Sequence, residues 1–319
     1  MLRHAGKGTI LALGTLSPRA ARVRRRAGRR TVDEPLVALA FLLPSLVLLG
    51  VFVFYPLGYV VYLSLLKWDL ITPAKVVGLS NYAALTRDPY FLQALGVTLI
   101  ISVVSLVVTL PVGFLCAAFL NQKLRESALY RGALLAPYIF PLVASGIAWS
   151  MMFQQQGGVV NWILRHVGGP APNWLGSSSW SVVAVIVVGV WQYLGYYTLI
   201  FLSGLQGIPP DYYEAASVDG AGALLQARRI TLPLLSPTLL FVTIILIIQT
   251  FQTFSQVYVM TQGGPDGATT TLVYYLYEVA FQYFQIGKAG AISVLLLLFL
   301  VGITLIQLVL ARRWVHYEL

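Results

Sequence analysis

Charge is scarce in this chain. Only 10% of its 319 residues are Asp, Glu, Lys or Arg and 58% are hydrophobic, which excludes an ordinary water-soluble domain, where about a quarter of residues are charged. A single cysteine, Cys116, has no partner for an internal disulfide, so a disulfide scaffold is excluded as well. The three histidines, His4, His166 and His316, lie far apart in the sequence. No spacing of His, Cys and carboxylates therefore suits a metal centre or a catalytic set, and an enzyme is not expected.

Six stretches, roughly 36–66, 94–120, 132–153, 181–204, 234–254 and 289–310, contain no Asp, Glu, Lys, Arg or His. Each is long enough to cross a bilayer as a helix, which takes about 20 mainly apolar residues. The expectation is an all-α, polytopic membrane protein with six transmembrane helices. An ion-coupled secondary transporter or channel is the main rival. Such proteins place ionisable groups in their spans to bind the coupling ion, and spans without them argue that energy arrives from elsewhere.

The basic residues that remain set an orientation. Nine precede the first span, and the same side receives Lys123, Arg125, Arg131, Arg228, Arg229, Arg312 and Arg313, 16 in all against five on the other: Lys67, Lys75, Arg87, Arg165 and Lys288. Both termini are predicted to be cytoplasmic. Because this excess flanks membrane spans, it speaks for membrane lipid and against nucleic acid as a partner. Residues 1–30 read as a disordered basic tail and residues 31–319 as the six-span domain. The weakly apolar run Thr9–Leu16 is short and is followed, not preceded, by arginines, unlike a signal peptide. Gly6-Lys7-Gly8-Thr9 lacks the upstream glycine and strand of a phosphate loop.

On the outer side, Gly157-Gly158 reads as a turn before a short interfacial helix, and Thr261-Gln262-Gly263-Gly264-Pro265 as another turn. The aromatic run from Tyr274 to Phe284 is expected on or near the outer surface. On the inner side, residues 209–233 form a polar island between apolar stretches. Pro210 suits a first helical position, Gly220 the left-handed end of a helix, and Arg228 with Arg229 a helix C-terminus, which together read as helix, turn, helix. Glu214-Ala215-Ala216 offers a small-residue surface carrying one acid.

That island closely resembles the EAA coupling loop of ABC importer permeases: Glu214-Ala215-Ala216, then Gly220, Ile230 and Leu232-Pro233 at the family's spacing, with Asp219 before the glycine. Val77-Gly78-Leu79-Ser80-Asn81-Tyr82, Gly204-Leu205-Gln206-Gly207-Ile208-Pro209 and Thr261-Gln262-Gly263-Gly264-Pro265 are similar to segments of the carbohydrate-uptake branch, with Ser80 in place of its usual acid. The resemblance covers about residues 36–312. It implies the type I importer architecture in a prokaryotic cytoplasmic (inner) membrane, a second permease subunit, two ATPase subunits docked on the coupling loops, and an extracytoplasmic solute-binding protein that delivers a sugar such as an oligosaccharide, or glycerol phosphate or another polyol. Cofactors are expected to be absent from this chain, with ATP and magnesium held by the ATPase partner.

A sugar site pairs aromatic rings with neutral hydrogen-bonding groups. The fourth span supplies Gln192, Tyr193 and Tyr196, and the fifth Gln249, Thr250 and Thr253. Thr250 with Thr253, and Gln249 with Gln252, are three apart and share a helix face. Polar residues in spans also bond across neighbouring helices, and both roles remain open at this point. The resemblance to maltose permeases sets Tyr193, Tyr196, Thr250 and Thr253 opposite sugar-contacting positions.

The charge asymmetry makes a direct test of topology. Cysteines introduced at Ser80 and Ser178 should react with an impermeant thiol reagent in intact cells, whereas one at Ser217 should react only after the membrane is opened.

Overall fold

The computed structural model describes residues 34–122 and 127–315, and the expected basic tail over residues 1–30 lies outside them, as do Lys123, Arg125 and His316. The chain divides into two compact units at Leu57 and Gly58. In the first, α1 (Glu34–Leu49) runs into a π-helical turn, Gly50–Phe54, and the start of α2 (Tyr55–Ser64), whose residues from Gly58 on belong to the second. Pro56 has no N–H to give to the preceding turn, and the widened turn beside it keeps the helix continuous. Side chains here point outward: Phe41 is 81% and Phe52 72% exposed, which suits hydrocarbon or another apolar chain and not water. Ala38–Ser64 as a whole has the length and apolarity of a membrane span.

The second unit is built on three long helices, α4 (Pro89–Leu120), α8 (Ser178–Gln206) and α12 (Ser236–Phe251). Val97 and Ile101 of α4 meet Val185 and Ile186 of α8 near their starts, and Ala117 and Leu120 meet Phe201 and Leu205 near their ends. The two helices therefore run parallel, and α12 returns through Val242 and Leu246. Ile286–Ala311, the last span, is α15; between α2 and α4 lie a two-stranded antiparallel sheet, β1 (Leu66–Lys67) with β2 (Lys75–Val76), and α3 (Ser80–Leu85).

Five helical segments are long and apolar enough to cross a membrane, and a sixth crossing exists if one bent pair counts as a single span. That pair is α5 (Ser127–Ile139) and α6 (Leu142–Met152), which turn by 95° within the stretch 132–153 that the sequence presents as one crossing. Pro141 sits at the corner with φ −58° and ψ 130°, and a proline disfavours helical backbone at the residue before it. The fifth crossing, Ser236–Met260, is also interrupted, with α12 ending at Phe251 before α13 (Ser255–Met260) resumes. The short helix expected after Gly157-Gly158 is α7 (Val159–His166).

At the end where α4 begins, polar groups act as fasteners. Asn81 donates to the carbonyls of Ser64 (2.7 Å) and Leu66 (2.8 Å), and the Tyr82 and Ser64 hydroxyls pair at 2.6 Å, so this part of the Val77–Tyr82 segment ties α3 to the end of α2. Thr98 takes the backbone N–H of Leu272 at 2.8 Å, and Thr271 caps α14 (Leu272–Tyr277). The aromatic run expected at the surface is divided: Phe281, Tyr283 and Phe284 are exposed, but Tyr274 and Tyr275 are 4% and 5% exposed, packed into the bundle. Their helix carries apolar residues on the face turned inward, which a run of aromatics alone does not reveal.

Asp88 holds this end together. One carboxylate oxygen caps α4 through the Tyr90 N–H at 3.0 Å, and the other accepts from the Tyr275 hydroxyl at 2.5 Å and pairs with Lys288 at 2.7 Å. Burial opposes the charged carboxylate, but the hydrogen bonds from Lys288 and Tyr275 and the Lys288 charge outweigh it and hold Asp88 below its usual range. Asp88→Asn keeps the cap and removes the ion pair, and should cost on the order of 1–3 kcal/mol. A depressed carboxylate stabilises the fold above its unfolded value and loses that contribution as pH falls through the folded one. Thermal unfolding in detergent should therefore show a gap between wild type and Asp88→Asn at neutral pH that closes below about pH 4.

Candidate coupling segment and translocation path

Residues 209–233 fold into a braced pair of short helices. Pro210 is the residue before α9 (Asp211–Val218), one position earlier than the sequence implies. Gly220 has φ +78°, a conformation costly for any side chain with a Cβ. It closes α9 with two bonds, Gly220 N–H to Ser217 at 3.1 Å and Ala221 N–H to Ala216 at 2.9 Å, which together form a Schellman end. Gln226 donates to the Ser217 hydroxyl (3.0 Å) and the Ala221 carbonyl (2.9 Å), and Tyr213 meets Thr231 at 3.1 Å. These bonds fix the second helix against the first.

The second helix is less regular than expected. It comprises α10 (Ala223–Gln226), a π-helical turn (Ala227–Thr231) and α11 (Leu232–Leu234). Arg228 and Arg229 lie within that turn and not at a helix end, because Pro233 removes a donor without stopping the helix, and the wider turn absorbs the loss. The carbonyl of Pro233 accepts from the Ser236 hydroxyl at 2.5 Å. Ile230 is half-buried and Leu232 exposed, while Ile208 and Leu235 anchor both ends of the segment in the core. Glu214, Ala215, Asp219 and Gly220 are exposed and Ala216 half-buried. Val218 and Leu224, which the motif does not mark, stand 88% and 85% exposed beside the turn.

The six expected path residues do not all meet. Tyr193, Gln249, Thr250 and Thr253 line one cavity between α4, α8 and α12, together with Ser105 and Gln256. Gln252 is exposed and absent from that lining, because α12 ends at Phe251 and the shared helix face ends with it. Thr250 spends its hydroxyl on the Leu246 carbonyl of its own helix at 2.9 Å. Gln192 is buried and donates to the carbonyls of Pro137 and, at 3.0 Å, Phe140; it satisfies the backbone opened by the break between α5 and α6. Tyr196 lies outside the cavity lining and stacks on Tyr138. At about 20 Å³ the cavity has room for no more than about one water, so a sugar needs an exposed face or a parting of helices.

Residues 109–316 match the family of binding-protein-dependent transport system inner membrane components. The chain belongs to that family. It is 34% identical over 275 residues to the trehalose/maltose transport system permease MalF of Thermococcus litoralis, covering 85% of this chain and 92% of that one. The sn-glycerol-3-phosphate permease UgpA of Yersinia pestis is 34% identical over 278 residues, 86% of this chain and 94% of the other. The sulfoquinovosyl glycerol permease SmoG of Agrobacterium fabrum is 33% identical over 283, 88% and 92%. A chain of a bacterial alginate ABC transporter, solved with an alginate-bound periplasmic protein, shares the fold at TM-score 0.77 and 22% identity, covering 88% of this chain and 96% of that chain.

In this permease the placement of the tyrosines depends on a close approach. A Cβ on Gly195 would lie 1.7 Å from the Leu134 carbonyl oxygen, so glycine alone lets α8 reach α5 and set Tyr138 beside Tyr193 and Tyr196. Nothing in the sequence marks Tyr138, whose neighbours are decided by this contact. Gly195→Val must push the helices apart, and should destabilise the permease by about 1–3 kcal/mol, read as a lowered unfolding temperature in detergent.

Proposed function

We propose that this chain is one of two permease subunits of a binding-protein-dependent ABC importer for a sugar, driven by ATP hydrolysis on separate ATPase subunits. The observation that carries the reading is the braced segment 209–233, which presents Glu214, Val218 and Leu224 outward from a rigid helix pair. Among the described residues no side-chain hydrogen bond or ion pair engages the exposed Glu214 carboxylate, which leaves it for a partner. A rigid element of this kind transmits a movement of a docked protein into the helices that anchor it, here through Ile208 and Leu235. ATP and magnesium belong to that partner, and no cofactor is assigned to this chain.

The remaining parts follow from the same orientation. With residues 209–233 in the cytoplasm, both termini lie inside, and the end held by Asp88 faces outward. A polar cavity of about 550 Å³ there, lined by Tyr90, Gln93, Asp266 and Glu278 among others, offers hydrogen-bonding groups to a docked solute-binding protein. Sugar import is supported by relatives named for trehalose/maltose and other carbohydrate-like solutes and by the tyrosine, glutamine and threonine groups of the path.

Substitutions in the segment test the reading. Gly220→Val strains a left-handed residue, Glu214→Lys reverses the docking charge, and Leu224→Asp removes an apolar contact, with an expected loss of about tenfold or more in ATPase affinity for the last. Each variant should reach the membrane yet fail in uptake of radiolabelled sugar, with ATPase lost on pull-down or its hydrolysis no longer stimulated by the binding protein. Normal uptake with the ATPase bound in all three would refute the coupling role.

A further inference from the structure

The hairpin of β1 and β2 stands where a crossing meets the membrane boundary. The last crossing, Ile286–Ala311, has 26 residues and is therefore about 39 Å long, close to the depth of a bilayer with its headgroup layers. Its first turn lies among headgroups, and the hairpin is fastened to that turn. The Ile286 N–H donates to the Trp68 carbonyl at 3.0 Å, and a Cβ on Gly287 would strike the Leu66 carbonyl oxygen. Asn81 ties the other side down through the carbonyls of Ser64 and Leu66.

Lys67 and Lys75 are direct partners across the two strands, so their side chains leave the same face. Like charges set opposite one another in a sheet repel. Among the described residues no ion pair or hydrogen bond engages either ammonium, and both line a cavity of about 880 Å³ with Trp68, Thr72 and Ser80. The cavity's other charges leave this excess standing. Lys288 is taken up by Asp88, and one oxygen of Asp69 accepts from the N–H groups of Ile71 (3.1 Å) and Thr72 (2.7 Å) and from the Thr72 hydroxyl (2.8 Å). Two free ammonium groups thus face one carboxylate that is already engaged.

The same hairpin carries exposed apolar side chains. The Asp69 bonds close a turn in which Leu70 is held at φ +68°, a conformation costly for a side chain with a Cβ, and Ile71 beside it is 87% exposed. Val76 and Leu79 are exposed as well. Apolar groups beside lysines at the membrane boundary suit an amphiphile with an anionic head.

We propose that this cavity binds the headgroup phosphate of an anionic phospholipid between Lys67 and Lys75, with the lipid's hydrocarbon against the apolar side chains of the hairpin. A bound phosphate relieves the repulsion between the two lysines, and a free phosphate would leave the apolar groups uncovered. The site does not depend on which solute is carried.

The test uses the complete transporter in phosphatidylcholine nanodiscs seeded with a photoactivatable analogue of either phosphatidylglycerol or phosphatidylcholine, followed by mapping of the cross-linked peptides. Labelling of residues 66–80 should be about fivefold or more stronger with the anionic analogue. Lys67→Gln with Lys75→Gln should remove that excess at unchanged labelling elsewhere in the chain, and Lys67→Arg with Lys75→Arg should keep it. Equal labelling by the two lipids, an excess that survives in the glutamine variant, or an arginine variant as poor as the glutamine one overturns the proposal. Displacement of the label by inorganic phosphate, but not by sodium chloride of equal ionic strength, overturns it in favour of a free anion. Weaker binding of the solute-binding protein to the glutamine variant, with lipid labelling unchanged, overturns it in favour of that protein.

Discussion

A bilayer offers no water to unpaired polar groups, and every other feature of this chain answers to that constraint. Helices satisfy their own backbones, so the crossings are helical. Charge is confined to the ends, where Asp88 and Lys288 form an ion pair that joins α4, α14 and α15. Wherever the backbone is interrupted, a side chain or a changed turn repairs it. Gln192 covers the carbonyls at the α5–α6 break, Thr98 receives the first N–H of α14, and widened turns stand before Pro56 and Pro233.

The same repairs assign roles to residues whose chemistry admits two. Gln192 and Thr250 look alike as sugar contacts in a sequence, since both are neutral hydrogen-bonding groups in a span. In the fold their donors go to backbone carbonyls. Tyr193 and Gln249 line the cavity, and among the described residues no backbone carbonyl takes their side-chain donors.

The segment 209–233 is stiffened by the Gly220 helix end and the Gln226 bonds, and its two flanks sink into the core at Ile208 and Leu235. A load on the exposed face of α9 therefore reaches α8 and α12 directly. Those helices, with α4, wall the polar cavity, so continuous helices join the segment 209–233 to it.

Sequence by itself determined the helical class, the approximate crossings and the helix–turn–helix over residues 209–233. These depend on composition, periodicity and local turn chemistry, which are properties of neighbours along the chain. Gly220 was legible because a left-handed helix end is a local event. Tertiary structure alone decided that 132–153 bends by 95°, that Gln252 leaves the cavity while Gln249 stays, that Val218 and Leu224 stand out, and that Tyr138 joins Tyr193 and Tyr196. Each of these depends on which distant backbone comes close, as Gly195 does to Leu134. Such an approach is set by packing of whole helices, and no local pattern encodes it.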